Sequence, residues 1–171
     1  MLMVFRLLIL FACILFFGKP AFADEETERE NKIKIAYLFH FSQFTEWTTK
    51  PSTFNFCIYD DISFSSLLKQ AYVGKKLGDI PVNVQNITEK SNVDNCQLIY
   101  FPNLVSTELL SHLNKKPILS IGSQKNFVEQ GIIYLFEEEQ KVRFFINNSV
   151  AIASGLKISS QLLSLSKEPQ P

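Results

Sequence analysis

Histidine is scarce in this chain: two in 171 residues, His40 and His112. His40 falls in an apolar helical stretch, which suits a hydrogen-bonded core or boundary side chain, and His112 reads as a surface residue. Zinc centres are built from clustered Cys and His. No such cluster is written here, so no metal and no cofactor are expected. The chain has neither a P-loop, a G-x-G-x-x-G turn nor a G-x-S-x-G elbow, the local patterns of phosphate, dinucleotide and acyl-transfer sites. Basic charge is not in excess either: 17 Lys and Arg stand against 17 Asp and Glu. That balance excludes a nucleic-acid footprint and a polybasic membrane patch. The acidic run Glu137–Glu139 reads as a solvated hairpin tip. Repeats and low-complexity segments are absent. These absences together argue against an enzyme.

What is present begins with a leader. Arg6 is a positive n-region, Leu7 to Phe17 an apolar h-region, and Gly18 and Pro20 break the run. Ala21-Phe22-Ala23 is an A-x-A cleavage site before Asp24. The apolar run is too short to span a hydrocarbon core of ~30 Å as a helix. Residues 1–23 are therefore expected to be a cleaved signal peptide, giving a soluble exported protein with no direct membrane insertion. An uncleaved anchor and lipidation at Cys13, within Leu10-Phe11-Ala12-Cys13, are the alternatives. The leader holds Arg6 and Lys19 and no acid, so cleavage takes the 17 basic residues to 15 against 17 acidic, a net charge of −2. The remaining 148 residues suit one domain. Residues 24–31 read as a disordered acidic lead-in, 32–166 as the domain and 167–171 as a frayed tail.

Within the domain, Lys32 to Trp47 predicts a helix whose stripe Ile33, Tyr37, Phe41 and Phe44 is widened by Ile35, Leu38 and Phe39. Such a helix must be covered on most sides. Phe54–Tyr59 predicts a strand, and Ser63 an N-cap for a helix reaching Tyr72. Ile80–Ile87 alternates as a strand, while Gln97–Phe101 and Ile118–Ile121 are short continuous apolar runs typical of strands buried on both faces. Helices are expected at Thr107–Asn114 and Lys125–Gln130. Ile132–Phe136 and Lys141–Ile146 form a hairpin across Glu137–Gln140. The stretch Arg143 to Ser166 organises the rest: it predicts a strand turning at Asn147-Asn148 into one long helix carrying Ile152, Leu156, Ser159 and Leu163. Its small residues Ala151, Ala153, Ser154 and Gly155 would let it dock close to a neighbouring backbone.

Buried strands alternating with helices imply a mostly parallel sheet covered on both faces. The expected fold is α/β: a three-layer α/β/α domain of flavodoxin- or Rossmann-like type with a C-terminal antiparallel hairpin. Open sheets of this kind bind ligands at the carboxyl ends of their strands. That rule marks Asp60, Asp61, Pro102 and Gly122 as a candidate ligand cleft, against turn-forming roles for the aspartates. Once Cys13 leaves with the leader, Cys57 and Cys96 are an even pair in an oxidising compartment. Cys57 lies in the first strand and Cys96 opens the third, which are neighbours in the flavodoxin-like order. The pair is either a disulfide, contributing roughly 4 kcal/mol by closing about 40 residues, or two packed thiols. Phe127, Phe145 and Ile146 are candidates for an apolar partner-binding patch, against a core role for each.

The segments KIKIAYLFHFSQFTEW, FNFCIYDD, NCQLIYFP, ILSIGSQKNFVEQGIIYLF and VRFFINNSVAIASGLKISSQLLSLS follow one another behind the leader. In these the chain resembles the YfiR family, the DUF4154 domain of bacterial periplasmic proteins. The resemblance runs over essentially the whole mature chain. The aromatic helix ending in Trp47, the Cys57/Cys96 pair, Phe145-Ile146-Asn147, Gly155-Leu156 and Ser159-Ser160 with Leu162-Leu163 carry it. It implies a non-enzymatic regulator. Better-known relatives bind the periplasmic sensor domain of a membrane diguanylate cyclase. They restrain cyclic-di-GMP synthesis, and so biofilm output, until envelope or redox stress releases them. The implied partner is the periplasmic domain of an inner-membrane signalling protein, and not nucleic acid. Homodimerisation is left open, and a periplasmic small-molecule sensor or accessory protein is the alternative function. The chain departs from the family pattern at Thr48 (usually proline), at Tyr59-Asp60 (usually glycine) and at Gln130-Gly131 (usually two glycines), and it lacks a second cysteine pair.

Overall fold

A computed structural model describes residues 21–168, with side chains from residue 25. The chain divides into two compact units, residues 1–32 and 33–171. The described part of the first unit is helical and carries the i,i+4 ion pair Lys32–Glu28 at 2.7 Å. The acidic residues 24–31, expected to be disordered, thus lie within α1 (Ala21–Gln43). Glu, Arg and Lys are good helix formers, and i,i+4 pairs support them. The rest of the leader, residues 1–20, lies outside the described residues.

In the second unit α1 is followed by β1 (Thr45–Trp47), β2 (Phe54–Tyr59), α2 (Ile62–Ala71), β3 (Lys76–Leu77), β4 (Ile80–Ile87) and β5 (Leu98–Phe101). Then come α3 (Thr107–Leu113), β6 (Leu119–Gly122), α4 (Phe127–Gln130), β7 (Ile133–Glu138) and β8 (Lys141–Ile146). The chain finishes with α5 (Asn148–Ala153), β9 (Leu156–Ile158) and α6 (Ser160–Leu163). Seven strands form one mixed sheet in the order β3-β4-β2-β5-β6-β7-β8, and β1 and β9 form a separate pair. The central strands β4-β2-β5-β6-β7 run parallel, whereas both edges, β3 on β4 and β8 on β7, are antiparallel. The expected arrangement is therefore met in part: an α/β fold with a parallel centre, but a mixed sheet and a second small one.

The strand sequences explain the layering. Along β2, Phe56 and Ile58 enter one core cluster and Cys57 the other. Along β5, Leu98 and Tyr100 divide from Ile99 and Phe101 in the same way. Every residue of β5 and β6 is buried, which is why those runs read as continuously apolar. The first cluster holds Leu38 and Phe41 of α1, Phe64 and Leu68 of α2, and Leu162 of α6. The second holds Leu110 and Leu113 of α3 and Phe127 of α4. The wide stripe of α1 is covered by rings: Phe144 meets both Tyr37 and Phe41 edge-on, and Phe39 meets Tyr72.

Four expectations are corrected. The first helix ends at Gln43, where the Phe44 amide still bonds the His40 carbonyl, and Thr45–Trp47 becomes a strand paired with β9. The β-branched and aromatic residues there favour extended backbone. The cap of α2 is Asp61, whose carboxylate accepts from the Phe64 amide at 2.8 Å, and Ser63 lies inside the helix. The long closing helix does not exist: α5 stops at Ala153 and Gly155 sits at φ +78°. A left-handed residue just past the cap is the usual helix stop, and glycine adopts it without a Cβ penalty. A Cβ there would touch nothing within 4 Å, so the glycine serves the turn and not close packing. The hairpin turn is tighter than read, only Glu139-Gln140, both at positive φ. That is the twist of a two-residue type I′ loop.

Candidate functional site

At the carboxyl ends of the parallel strands, the marked residues are engaged in local structure. Asp60 is exposed at φ +51°, and its amide donates to the Ile87 carbonyl at 2.8 Å. Asp61 caps α2, and its amide donates to Asn86 Oδ1 at 3.2 Å. The Pro102 carbonyl accepts from Gln124 Nε2 at 3.1 Å. Gly122 is roofed by the Phe127 ring: a Cβ there would fall 2.3 Å from it, and one at Gly131 would fall 1.9 Å from it. Phe127 thus fills the strand end between two glycines, and Asp60, Asp61, Pro102 and Gly122 line none of the hollows described below. A smaller hollow of about 260 Å³ lies beside them, lined by Tyr59, Glu89, Asp94, His112 and Lys116 among others. Burial pushes the Tyr59 phenol up, and the Glu89 and Asp60 carboxylates add to it. Lys116 bonds Asp94 at 2.5 Å and holds that carboxyl below the usual range.

Of the apolar trio, Phe127 is 1% and Ile146 6% exposed, so both belong to the core. Only Phe145, opposite Tyr134 in the β7–β8 hairpin, is half-buried and partly accessible. His40, expected at a core or boundary position, is exposed on α1 beside an apolar hollow of about 240 Å³ containing Tyr37, Phe44, Phe144 and Leu165. The stripe of α1 faces the core, which turns position 40 outward. His112 is exposed as read. No group of three or more His, Cys, Asp or Glu able to hold a metal occurs among the described residues.

Cys57 and Cys96 form a disulfide with Cα atoms 5.9 Å apart. The topology makes this pairing: β2 and β5 are parallel neighbours, and Cys96 stands two residues before β5 begins. Both cysteines are buried, at 0% and 2% exposure, and Gln85 on β4 donates its side-chain amide to Cys57 Sγ at 3.1 Å. Free thiols are thus not the arrangement found.

A further hollow was not foreseen. It is an open groove of about 570 Å³ at the opposite, amino end of the strands. Phe54 at the start of β2, Ile80 at the start of β4, Leu77 of β3 and Trp47 of β1 line it, with Thr45, Glu46 and Lys50. Reading Trp47 as the end of a helix hid this site. The signal available was Thr45 to Thr49, a β-branched, aromatic run after the last periodic residue of α1.

Comparison with known proteins points to one family. A family model described as YfiR/HmsC-like, DUF4154, matches residues 31–167. The chain belongs to the YfiR/HmsC-like family. That family is regulatory and not catalytic. Among curated proteins, none matches this YfiR/HmsC-like chain. No helix among the described residues is long and apolar enough to cross a membrane.

Proposed function

We propose that this chain is a periplasmic, non-enzymatic regulator that binds the periplasmic sensor domain of a membrane signalling protein of the diguanylate-cyclase type and represses it. The observation that carries the reading is the family match over residues 31–167. Supporting it, a buried disulfide is at home in an oxidising compartment, and the leader at residues 1–23 reads as an export signal. The central order β4-β2-β5-β6-β7 supports a flavodoxin-like three-layer reading of the domain, since it follows the 2-1-3-4-5 pattern. Repression is a population shift: the chain binds the inactive receptor conformation more tightly than the active one. Phe145 is the member of the apolar trio available for contact.

The test is cyclic-di-GMP measured in cells. Deleting the gene raises it, and complementing with the full chain restores it, whereas a form lacking residues 1–23 does not. Unchanged cyclic-di-GMP in all three strains contradicts the reading. The groove at Trp47 favours a second reading, a periplasmic small-molecule sensor, in which ligand binding stabilises the fold by mass action.

A further inference from the structure

The outer strands of a sheet carry unpaired backbone groups that template another strand, and native proteins blunt or cover them. The seven-stranded sheet ends in β3 on one side and β8 on the other. β3 is blunted by its length and by a lysine, having only Lys76 and Leu77. β8 runs for six residues, Lys141–Ile146, and holds no proline. Its hairpin closes on the pair Glu138–Lys141 across a two-residue loop, and bonding then alternates along the strand. The backbone groups of Lys141, Arg143 and Phe145 turn to β7, and those of Val142, Phe144 and Ile146 face outward.

The end of the chain covers that outer side. The Lys167 amide donates to the Phe144 carbonyl at 2.9 Å, and the Ile146 amide donates to Ser166 Oγ at 2.8 Å. Ser166 and Lys167 therefore run antiparallel to β8. Lys167 Nζ bonds the Glu138 carboxylate beside the hairpin turn. The Tyr37 hydroxyl donates to the Val142 carbonyl at 3.2 Å. No strand pairs with this edge, and the cover is a few bonds from a segment in which Leu165, Lys167 and Glu168 are exposed.

We infer that Ser166–Lys167 is a strap that keeps β8 from pairing with the β8 of a second copy of this chain. A two-fold axis at Phe144 sets Phe144 opposite Phe144 and Val142 opposite Ile146, so the outward groups of one strand meet those of the other. In the same register Arg143 falls opposite Phe145 and Lys141 opposite Asn147. No like charges stand directly opposite, the arrangement that would destabilise an antiparallel pair. Such a contact is isologous and closes as a dimer, with one sheet continuing into the other. A second β8 takes the Phe144 carbonyl and the Ile146 amide from the strap, so strap and partner exclude each other. This inference goes beyond the regulator reading and depends on no receptor.

The test is sedimentation velocity over a range of micromolar concentrations on chains that all start at Asp24. They are the wild type, a form ending at Leu165, and Ser166→Ala/Lys167→Pro with the tail retained. The double substitution removes the hydroxyl, the amide N–H and the ammonium. Both altered chains should self-associate at least about ten-fold more tightly than the wild type, the effect of freeing two hydrogen-bonding positions. Amide hydrogen exchange at Val142 and Phe144, whose N–H groups face outward, should slow in the dimer. Unchanged self-association, or tighter association without slowed exchange at those two amides, overturns the proposal. So does an altered chain that stays monomeric, which would leave the edge to a strand of another protein. The two alterations remove the strap by different routes, so either decides the outcome if the other does not fold.

Discussion

Replacing Cys57 and Cys96 together by alanine should cost about 4 kcal/mol. The bridge spans a sequence separation of 39, and closing a loop of about 40 residues removes roughly 13 cal/mol/K from the unfolded chain, about 4 kcal/mol at 25 °C. A domain has total stability of about 5–15 kcal/mol, so the loss is a large fraction of it. With an unfolding entropy of about 2.1 cal/mol/K per residue, the 148 residues from Asp24 onward should lose roughly 10–15 °C in Tm. Alanine is the better probe than serine, because both sulfurs are buried and a hydroxyl there would add its own desolvation cost. The measurement is calorimetry of the oxidised chain and the double variant at equal pH and salt. The same burial predicts that reductant acts slowly on the native protein. A Tm change under about 3 °C would refute the reasoning and mean that the unfolded chain is already constrained, or the native bridge strained.

Three further outcomes follow from local geometry. Gly155→Ala should cost about 1–2 kcal/mol in denaturant unfolding, from the left-handed backbone alone, because a Cβ at φ +78° meets no neighbour. Gly131→Ala should cost about 1–3 kcal/mol by overpacking, since its Cβ would fall 1.9 Å from the Phe127 ring. Adding Phe127→Leu should recover part of that loss, a non-additivity that a double-mutant cycle reads directly. The Asp94 carboxyl is held low first by its hydrogen bond from Lys116 and then by that residue's charge. Its folded pKa being depressed, any stability from the pair is present above the unfolded value near 3.9 and is lost as pH falls through the folded value. A carboxyl NMR titration should show Asp94 returning to the ordinary range in Lys116→Gln.

Much of the parallel centre was legible because buried strands leave an unmistakable apolar run, as in Leu98–Phe101 and Leu119–Gly122. The cysteine pairing was half legible: parity and compartment suggested a bridge, but only the adjacency of β2 and β5 decided it against packed thiols. The closing helix was misread because Leu156, Ser159 and Leu163 continue a helical period through Gly155, and period alone does not report a φ of +78°. Trp47 was lost for the same reason, since a stripe of aromatics ran on past the last helical turn. The two-stranded pair β1–β9 joins segments more than 100 residues apart and had no local signal. The ligand cleft was placed by a rule for open sheets. That rule does not foresee a phenylalanine filling the strand end between Gly122 and Gly131.

The central claim is that this chain acts by holding a membrane signalling protein in its inactive form. Tagged protein from Asp24 onward, incubated with detergent-solubilised envelope with and without reductant, tests it most directly. The account predicts capture of a membrane protein bearing a cytoplasmic diguanylate-cyclase domain, with recovery altered by reductant. Failure to capture any membrane signalling protein under both conditions contradicts it.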